Sequence, residues 1–190
     1  GDVPPEAEVT IVLDEDKEDV NFSLVCLPST GEARSKGYWK HQASVYINDR
    51  GNAQESMLDM TTTFPNALFN HFHENQLASI EVEGITHTGG APINLQTILA
   101  TLKKKGAMLD KAKQQYMALL LNMASEKILS LQIVSDDGAT ASQAIQYVAA
   151  MINDGDSGND ELAKDIAETI NHGETVAAGV AGETVVIVVA

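Results

Sequence analysis

The chain has 190 residues, of which 44% are apolar and 21% charged, a composition that excludes collagen, coiled coil and wholesale disorder. Its 12 lysine and arginine residues stand against 27 aspartate and glutamate residues, so the net charge is −15. This surplus argues against binding to nucleic acid or to an anionic membrane, and no apolar run is long enough to cross a bilayer.

The first 30 residues predict a β-hairpin. Residues 7–13 place Val9, Ile11 and Leu13 on one face by the two-residue period of a strand. Residues 20–27 repeat this alternation and include Cys26, the single cysteine, so no disulfide can form within the chain. We expect Cys26 to be buried and inert, because it falls on the apolar face of the predicted strand.

The long middle of the chain predicts helices, because its apolar residues recur with the 3.6-residue period. Asn94 is a predicted N-cap, and Gly173 falls where a helix ends in the left-handed conformation. A short strand is predicted at residues 79–85. The predicted helices cover residues 53–60, 64–75, 94 to the lysine run before Gly106, 108–131, 140–152 and 159–171.

The last eight residues, 183–190, are β-branched and apolar on both faces, which is typical of a strand covered on both sides. Such a segment cannot safely stay exposed, so we expect it to pair with the hairpin of its own chain or of a neighbour. The predicted contact between subunits consists of Val185, Val186, Ile187, Val188 and Val189 with Val9, Ile11 and Leu13.

These elements predict one α+β domain. A helical middle, residues 31–174, packs against a small sheet made by the N-terminal hairpin of residues 1–30 and the C-terminal strand of residues 175–190. The sheet is completed either within the chain or between subunits.

The charge is unevenly placed along the sequence. Residues 1–19 carry eight acidic residues and one lysine, and residues 135–190 carry ten acidic residues and one lysine. Residues 103–113 carry five lysines and one aspartate. These patches are either ordinary solvated faces or complementary surfaces that steer one subunit onto the next.

Three short motifs resemble a domain of secreted bacterial surface proteins. The segment Gly37-Tyr38-Trp39-Lys40 resembles its Gly-Tyr-Trp-Lys signature, although His41 follows where that family has Asn-His. The Leu-Asn segment at residues 118–124 and the Ile-Asn-His-Gly segment at residues 170–173 are similar to its later motifs. The resemblance covers about residues 37–174 and implies an extracellular or cell-surface setting and no enzymatic activity. From the residues themselves, we expect Trp39 to anchor the core.

The acidic loop at residues 153–161 suits a bound calcium ion. Asp154, Asp156 and Asp160 alternate with glycine and asparagine, so their oxygens could surround a hard cation. The same pattern also fits a turn that caps the following helix. A second, weaker acidic loop is the predicted hairpin turn at residues 14–19.

Catalytic patterns are weak. His71 and His73 are two residues apart, so on a helix they diverge by about 200° and do not share a face as a zinc pair must. No Gly-x-Ser-x-Gly or phosphate-binding glycine loop is present in the sequence. The sequence therefore does not favour an enzyme, and a metal-dependent hydrolase is the least supported reading.

The sequence favours an extracellular structural subunit that assembles with copies of itself into a filament or surface layer by strand exchange. The opening at Gly1, without a targeting segment, is typical of a mature secreted protein. The alternative is a monomeric, secreted binding or adhesion module that calcium stabilises.

Overall fold

The computed structural model describes residues 32–74, 82, 85, 87–88 and 91–180. Helix accounts for 62% of these residues. The elements are α1 (Lys36–Asn48), a π-helical turn (Asp59–Thr63), α2 (Phe64–Glu74), β1 (His87–Thr88), β2 (Ala91–Pro92), α3 (Leu95–Lys103), α4 (Met108–Ala124), α5 (Ala141–Asn153) and α6 (Ser157–Asn171).

The predicted α+β fold class is wrong. Six helices dominate the described residues, and their only ladder is the antiparallel pairing of β1 with β2, two residues on each strand. The predicted strands at residues 7–13, 20–27 and 184–190 lie outside the described residues. The described residues come mostly from the middle of the chain, where apolar residues recur with the 3.6-residue period of a helix and do not alternate as in a strand.

Helix starts and ends follow the predicted capping residues closely. The Asn94 side chain accepts a hydrogen bond from the Thr97 N–H at 2.9 Å and so begins α3. Helix α6 ends at Asn171, and Gly173 follows its C-cap at φ +77°. The N–H groups of Gly173 and Glu174 bond to the carbonyls of Ile170 and Thr169 respectively. This is the Schellman pattern of hydrogen bonds, which requires a residue that tolerates the left-handed region.

Two helix predictions need correction. The helix predicted over residues 108–131 ends at Ala124, because Glu126 takes a left-handed φ of 56° and Lys127 folds back to bond the Asn122 carbonyl. Of the helix predicted over residues 53–60, only residues 57–60 are helical, and the last two of them belong to the π-helical turn. Most of the strand predicted at residues 79–85 lies outside the described residues.

Helix α4 is the centre of the packing and contacts each of the other five helices. Its predicted apolar stripe is confirmed at Ala112, Tyr116, Leu119 and Leu120, which are all buried. Burial extends around the whole helix, however, and includes polar residues such as Asn122. A helix surrounded on all sides must satisfy every polar group it carries, because no water reaches them.

Asn122 satisfies this requirement completely. Its Oδ1 accepts hydrogen bonds from the indole N–H of Trp39 at 3.1 Å and from the Arg34 N–H at 2.9 Å. Its Nδ2 donates to the Arg34 carbonyl at 2.9 Å and to Oδ1 of Asn171 at 2.8 Å. An asparagine side chain offers two donor hydrogens and two acceptor lone pairs, so all four are used.

The Asn122 hydrogen bonds generate a stability prediction. Asn122→Ala leaves the buried indole N–H and the Asn171 carbonyl oxygen without this partner, which we expect to lower the free energy of unfolding by about 3 kcal/mol or more. Urea denaturation followed by circular dichroism measures the change. Asn48→Ala is the matched control, because the Asn48 side chain is exposed and donates only to the Ser44 carbonyl. A loss at Asn122 no larger than at Asn48 contradicts the assigned role.

Candidate functional site

The three motifs of the surface-domain resemblance meet at one point in the structure. Trp39, from the first motif, is fully buried and donates to Asn122, from the second. Asn122 in turn donates to Asn171, from the third. The Asn171 side chain then donates to the carbonyl and the side-chain oxygen of Gln115 at 2.9 and 3.3 Å. Residues more than 80 positions apart in sequence therefore form one buried network, and the prediction that Trp39 anchors the core is confirmed.

Tyr38, next to Trp39 in the first motif, is half-buried and packs against the edge of the core. The Tyr38 hydroxyl donates to Glu55 at 2.5 Å, and Lys127 forms an ion pair with the same carboxylate at 3.0 Å. Burial and the hydrogen bond to Glu55 raise the pKa of Tyr38, so this hydroxyl stays protonated and remains a donor. The arrangement fixes the loop after α1 and provides no nucleophile.

Lysine side chains converge on a cleft with a volume of about 560 Å³. They come from the start of α1, from the end of α3 with the turn that follows it, and from the first turns of α4. We call this surface the lysine cleft. Its cationic residues are Lys36, Lys40, Lys103, Lys104, Lys105 and Lys111.

Gln114 holds the walls of the lysine cleft in place. It is 7% exposed, accepts a hydrogen bond from Lys36 Nζ at 2.9 Å, and donates to the Lys104 carbonyl. One neutral side chain thus ties α1 to the turn after α3. The Asp110 carboxylate pairs with Lys104 at 2.8 Å. Lys40, the last residue of the first motif, lies on the exposed rim.

A second surface lies between α4 and α5. Ile133 and Thr140 form an antiparallel bridge, closed by hydrogen bonds of Gln132 and Val134 on either side. The N–H and C=O of Ile133 therefore point away from Thr140, and neither has a backbone partner within the described residues. The side chains of Leu131 and Ile133 are 66% and 52% exposed. We call this surface the 131–133 edge.

Two of the three aspartates predicted to bind calcium accept local hydrogen bonds. The Asp154 carboxylate accepts from the Asp156 N–H and from the Asn159 side chain, each at 2.7 Å. The Asp156 carboxylate accepts from the Gly158 N–H at 2.9 Å and is the N-cap of α6. Asp160 is buried in the first turn of that helix. Among the described residues, no three histidine, cysteine, aspartate or glutamate side chains are grouped to hold a metal ion.

His71 lies on α2 beside a cavity of about 280 Å³, which α4 and the segment after it also line. Most of the lining is apolar, and Glu126 and Ser130 are among its polar residues. Burial lowers the pKa of His71, because the charged imidazolium loses its hydration. His73 is on the same helix two residues later.

The predicted subunit contact lies outside the described residues, both at Val185, Val186, Ile187, Val188 and Val189 and at Val9, Ile11 and Leu13. Two described features were missed from the sequence. Lys36 and Lys40 join the lysine run 63 or more residues away. Lys36 directly precedes the Gly-Tyr-Trp-Lys segment and Lys40 ends it, and this spacing of four was the available signal. The 131–133 edge begins at the last residue of the helix predicted over residues 108–131, and no strand was predicted there.

Comparison with models of protein families, with curated proteins and with solved structures found no match. Across the described ranges, no helix combines the length and apolar character that a membrane crossing requires. The function is therefore inferred from the chemistry of the lysine cleft and of the 131–133 edge.

The Asp156 cap generates a prediction that separates capping from calcium binding. Asp156→Ala removes the acceptor for the Gly158 N–H, so we expect the free energy of unfolding to fall by about 1 kcal/mol, equally in calcium and in EGTA. Asp156→Asn keeps a capping oxygen and is expected to stay within about 0.5 kcal/mol of the unchanged protein. Thermal denaturation in both buffers measures this. A loss that appears only in calcium would support the calcium-stabilised alternative instead.

The shifted pKa of His71 generates a pH prediction. Because the folded-state pKa lies below the unfolded value of 6.5, the unfolded chain binds the proton first as the pH falls. His71 therefore makes the free energy of unfolding fall as the pH is lowered from about 7 to its folded-state pKa. We expect His71→Gln to make this decrease less steep. Urea denaturation between pH 7.5 and 5.5 measures it, with the exposed His172→Gln as control. Equal slopes for the two variants would refute the assignment.

Proposed function

We propose that this chain is an extracellular structural subunit, not an enzyme, that assembles with copies of itself by strand donation. The apolar segment of residues 184–189 is the donated strand, and the 131–133 edge of the next subunit receives it. The observation that carries this proposal is that, within the part of the chain that the structure describes, the backbone of Ile133 has no backbone partner and lies beside exposed apolar side chains. The extracellular setting follows from the resemblance to secreted surface domains.

The two partners fit each other chemically. An extended peptide gains main-chain hydrogen bonds when it pairs with a free strand edge, and alternate side chains supply apolar contact. At the 131–133 edge, the N–H and C=O of Ile133 have no backbone partner among the described residues, and Leu131 is close by in sequence. Residues 184–189 offer β-branched side chains on both faces, which need cover. Pairing removes apolar surface on both partners from water at about 25 cal/mol per Å².

The contact is head-to-tail, because the donated segment and the receiving edge are different parts of the chain. Head-to-tail contacts give a closed ring when the rotation between subunits closes and an open filament when it does not. A chain with a net charge of −15 also repels its copies at long range, so assembly needs a specific attraction at short range.

The function is tested by removing the donor and the acceptor separately. We expect the full chain to form assemblies whose mass rises with concentration, and deletion of residues 183–190 to leave a monomer. Ile133→Lys is expected to weaken assembly about tenfold or more, because it places a charge in the apolar contact. Sedimentation velocity measures the mass, and negative-stain microscopy shows the form of the assemblies.

Met57→Lys is the matched control for this test, because Met57 is 60% exposed and lies away from the 131–133 edge in sequence. It should assemble like the unchanged chain. Assembly that persists after deletion of residues 183–190 would rule out strand donation. A chain that remains monomeric at every concentration, and whose melting temperature drops in EGTA, would instead support the calcium-stabilised binding module.

A further inference from the structure

The lysine cleft concentrates positive charge in a strongly acidic protein. Half of the 12 lysine and arginine residues of the chain line this one surface. They arrive from three separate elements, so neither a single amphipathic helix nor a single sequence run accounts for the clustering. Bringing six like charges together is unfavourable unless a negative partner offsets the repulsion.

The described residues offset little of this charge. Lys104 has the only ion pair of the six within the described ranges, with Asp110 at 2.8 Å, and Lys36 binds the neutral Gln114. Lys40, Lys105 and Lys111 are exposed and form no ion pair there. The lysine cleft therefore suits a ligand with several closely spaced anionic groups. The buried Gln114 keeps the walls of the cleft at a fixed separation.

The densest run of acidic residues in this sequence is at residues 14–19, where five of six residues are aspartate or glutamate. We propose that the lysine cleft binds this segment from a second copy of the chain. The inference rests on the proposed self-assembly, and it adds an electrostatic contact to the apolar one. Each subunit would receive a charged segment in the cleft and an apolar segment at the 131–133 edge.

A second copy is the favoured source because assembly of an acidic subunit needs this compensation. Two copies with a net charge of −15 repel each other, and pairing the acidic segment of one with the cleft of the next replaces repulsion by attraction at the contact. If each chain filled its own cleft, its largest cluster of positive charge would no longer be offered to an acidic neighbour. Paired charges of this kind also fix orientation and raise the association rate.

The test reverses charges on each side of the contact in the full-length chain. The cleft variant is Lys105→Glu with Lys111→Glu, and the segment variant is Asp16→Lys with Asp19→Lys. We expect each to raise the concentration for half-assembly about tenfold or more, because like charges then face each other. Matched controls with the same change in net charge are Arg50→Glu with Lys113→Glu, and the exposed Glu161→Lys with Glu174→Lys, which should differ little from the unchanged chain.

Mixing distinguishes a second copy from the same chain. When the cleft variant and the segment variant are combined in equal amounts, the lysine-bearing segment of one matches the glutamate-bearing cleft of the other. The unchanged segment likewise matches the unchanged cleft. We therefore expect the mixture to assemble within about threefold of the unchanged protein, in alternating order, although each variant alone fails. A single chain that carries all four substitutions should assemble as well.

Each remaining outcome contradicts either the proposed cleft contact or strand donation. Rescue in the single chain with four substitutions, but not in the mixture, shows that the segment docks within its own chain and refutes the proposal. Variants and controls that all assemble alike also refute it, while the dependence on residues 183–190 still decides the proposed function independently. Charge reversal that blocks assembly when deletion of residues 183–190 does not would support the cleft contact and refute strand donation.

Discussion

The four hydrogen bonds of Asn122 are the constraint on which the rest of the packing depends. A fully buried amide costs several kcal/mol of desolvation unless every donor and acceptor is met, so Asn122 tolerates only one arrangement of its neighbours. Those neighbours are the indole of Trp39 on α1, the backbone of Arg34 before α1, and Asn171 at the end of α6. The central helix thereby fixes the positions of the first and last helices together.

The network is also directional. Trp39 donates to Asn122, Asn122 to Asn171, Asn171 to Gln115, and Gln115 Nε2 to the Glu168 carboxylate at 2.8 Å. Every donor points the same way, so each bond polarises the next, and the chain of bonds ends on a negative charge near the surface. The Glu168 carboxylate at the end of this chain strengthens the hydrogen bonds that precede it, because a charged acceptor binds a donor more strongly than a neutral one. Apolar side chains of the same shape would provide no such bonds.

Local signals in the sequence were sufficient for much of the fold and insufficient for its surfaces. Asn94 and Gly173 predicted helix ends because capping depends on neighbouring residues alone. The end of α4 was missed, because residues 125–131 keep enough apolar character to continue a helical stripe, while Glu126 turns the chain. The lysine cleft required knowing that α1 lies beside α3, which no local pattern contains.

The buried network and the lysine cleft are two sides of one helix. Trp39 points into the core from α1, whereas Lys36 and Lys40, four residues apart, share a face that lines the cleft. The hydrogen bond that holds Trp39 on Asn122 therefore also sets how far the α1 lysines stand from Lys111 on α4. Protein interiors resist small displacements, so a buried tryptophan holds this spacing firmly. Contacts between exposed charges at the rim of the cleft hold it less firmly, because salt screens the attraction between opposite charges.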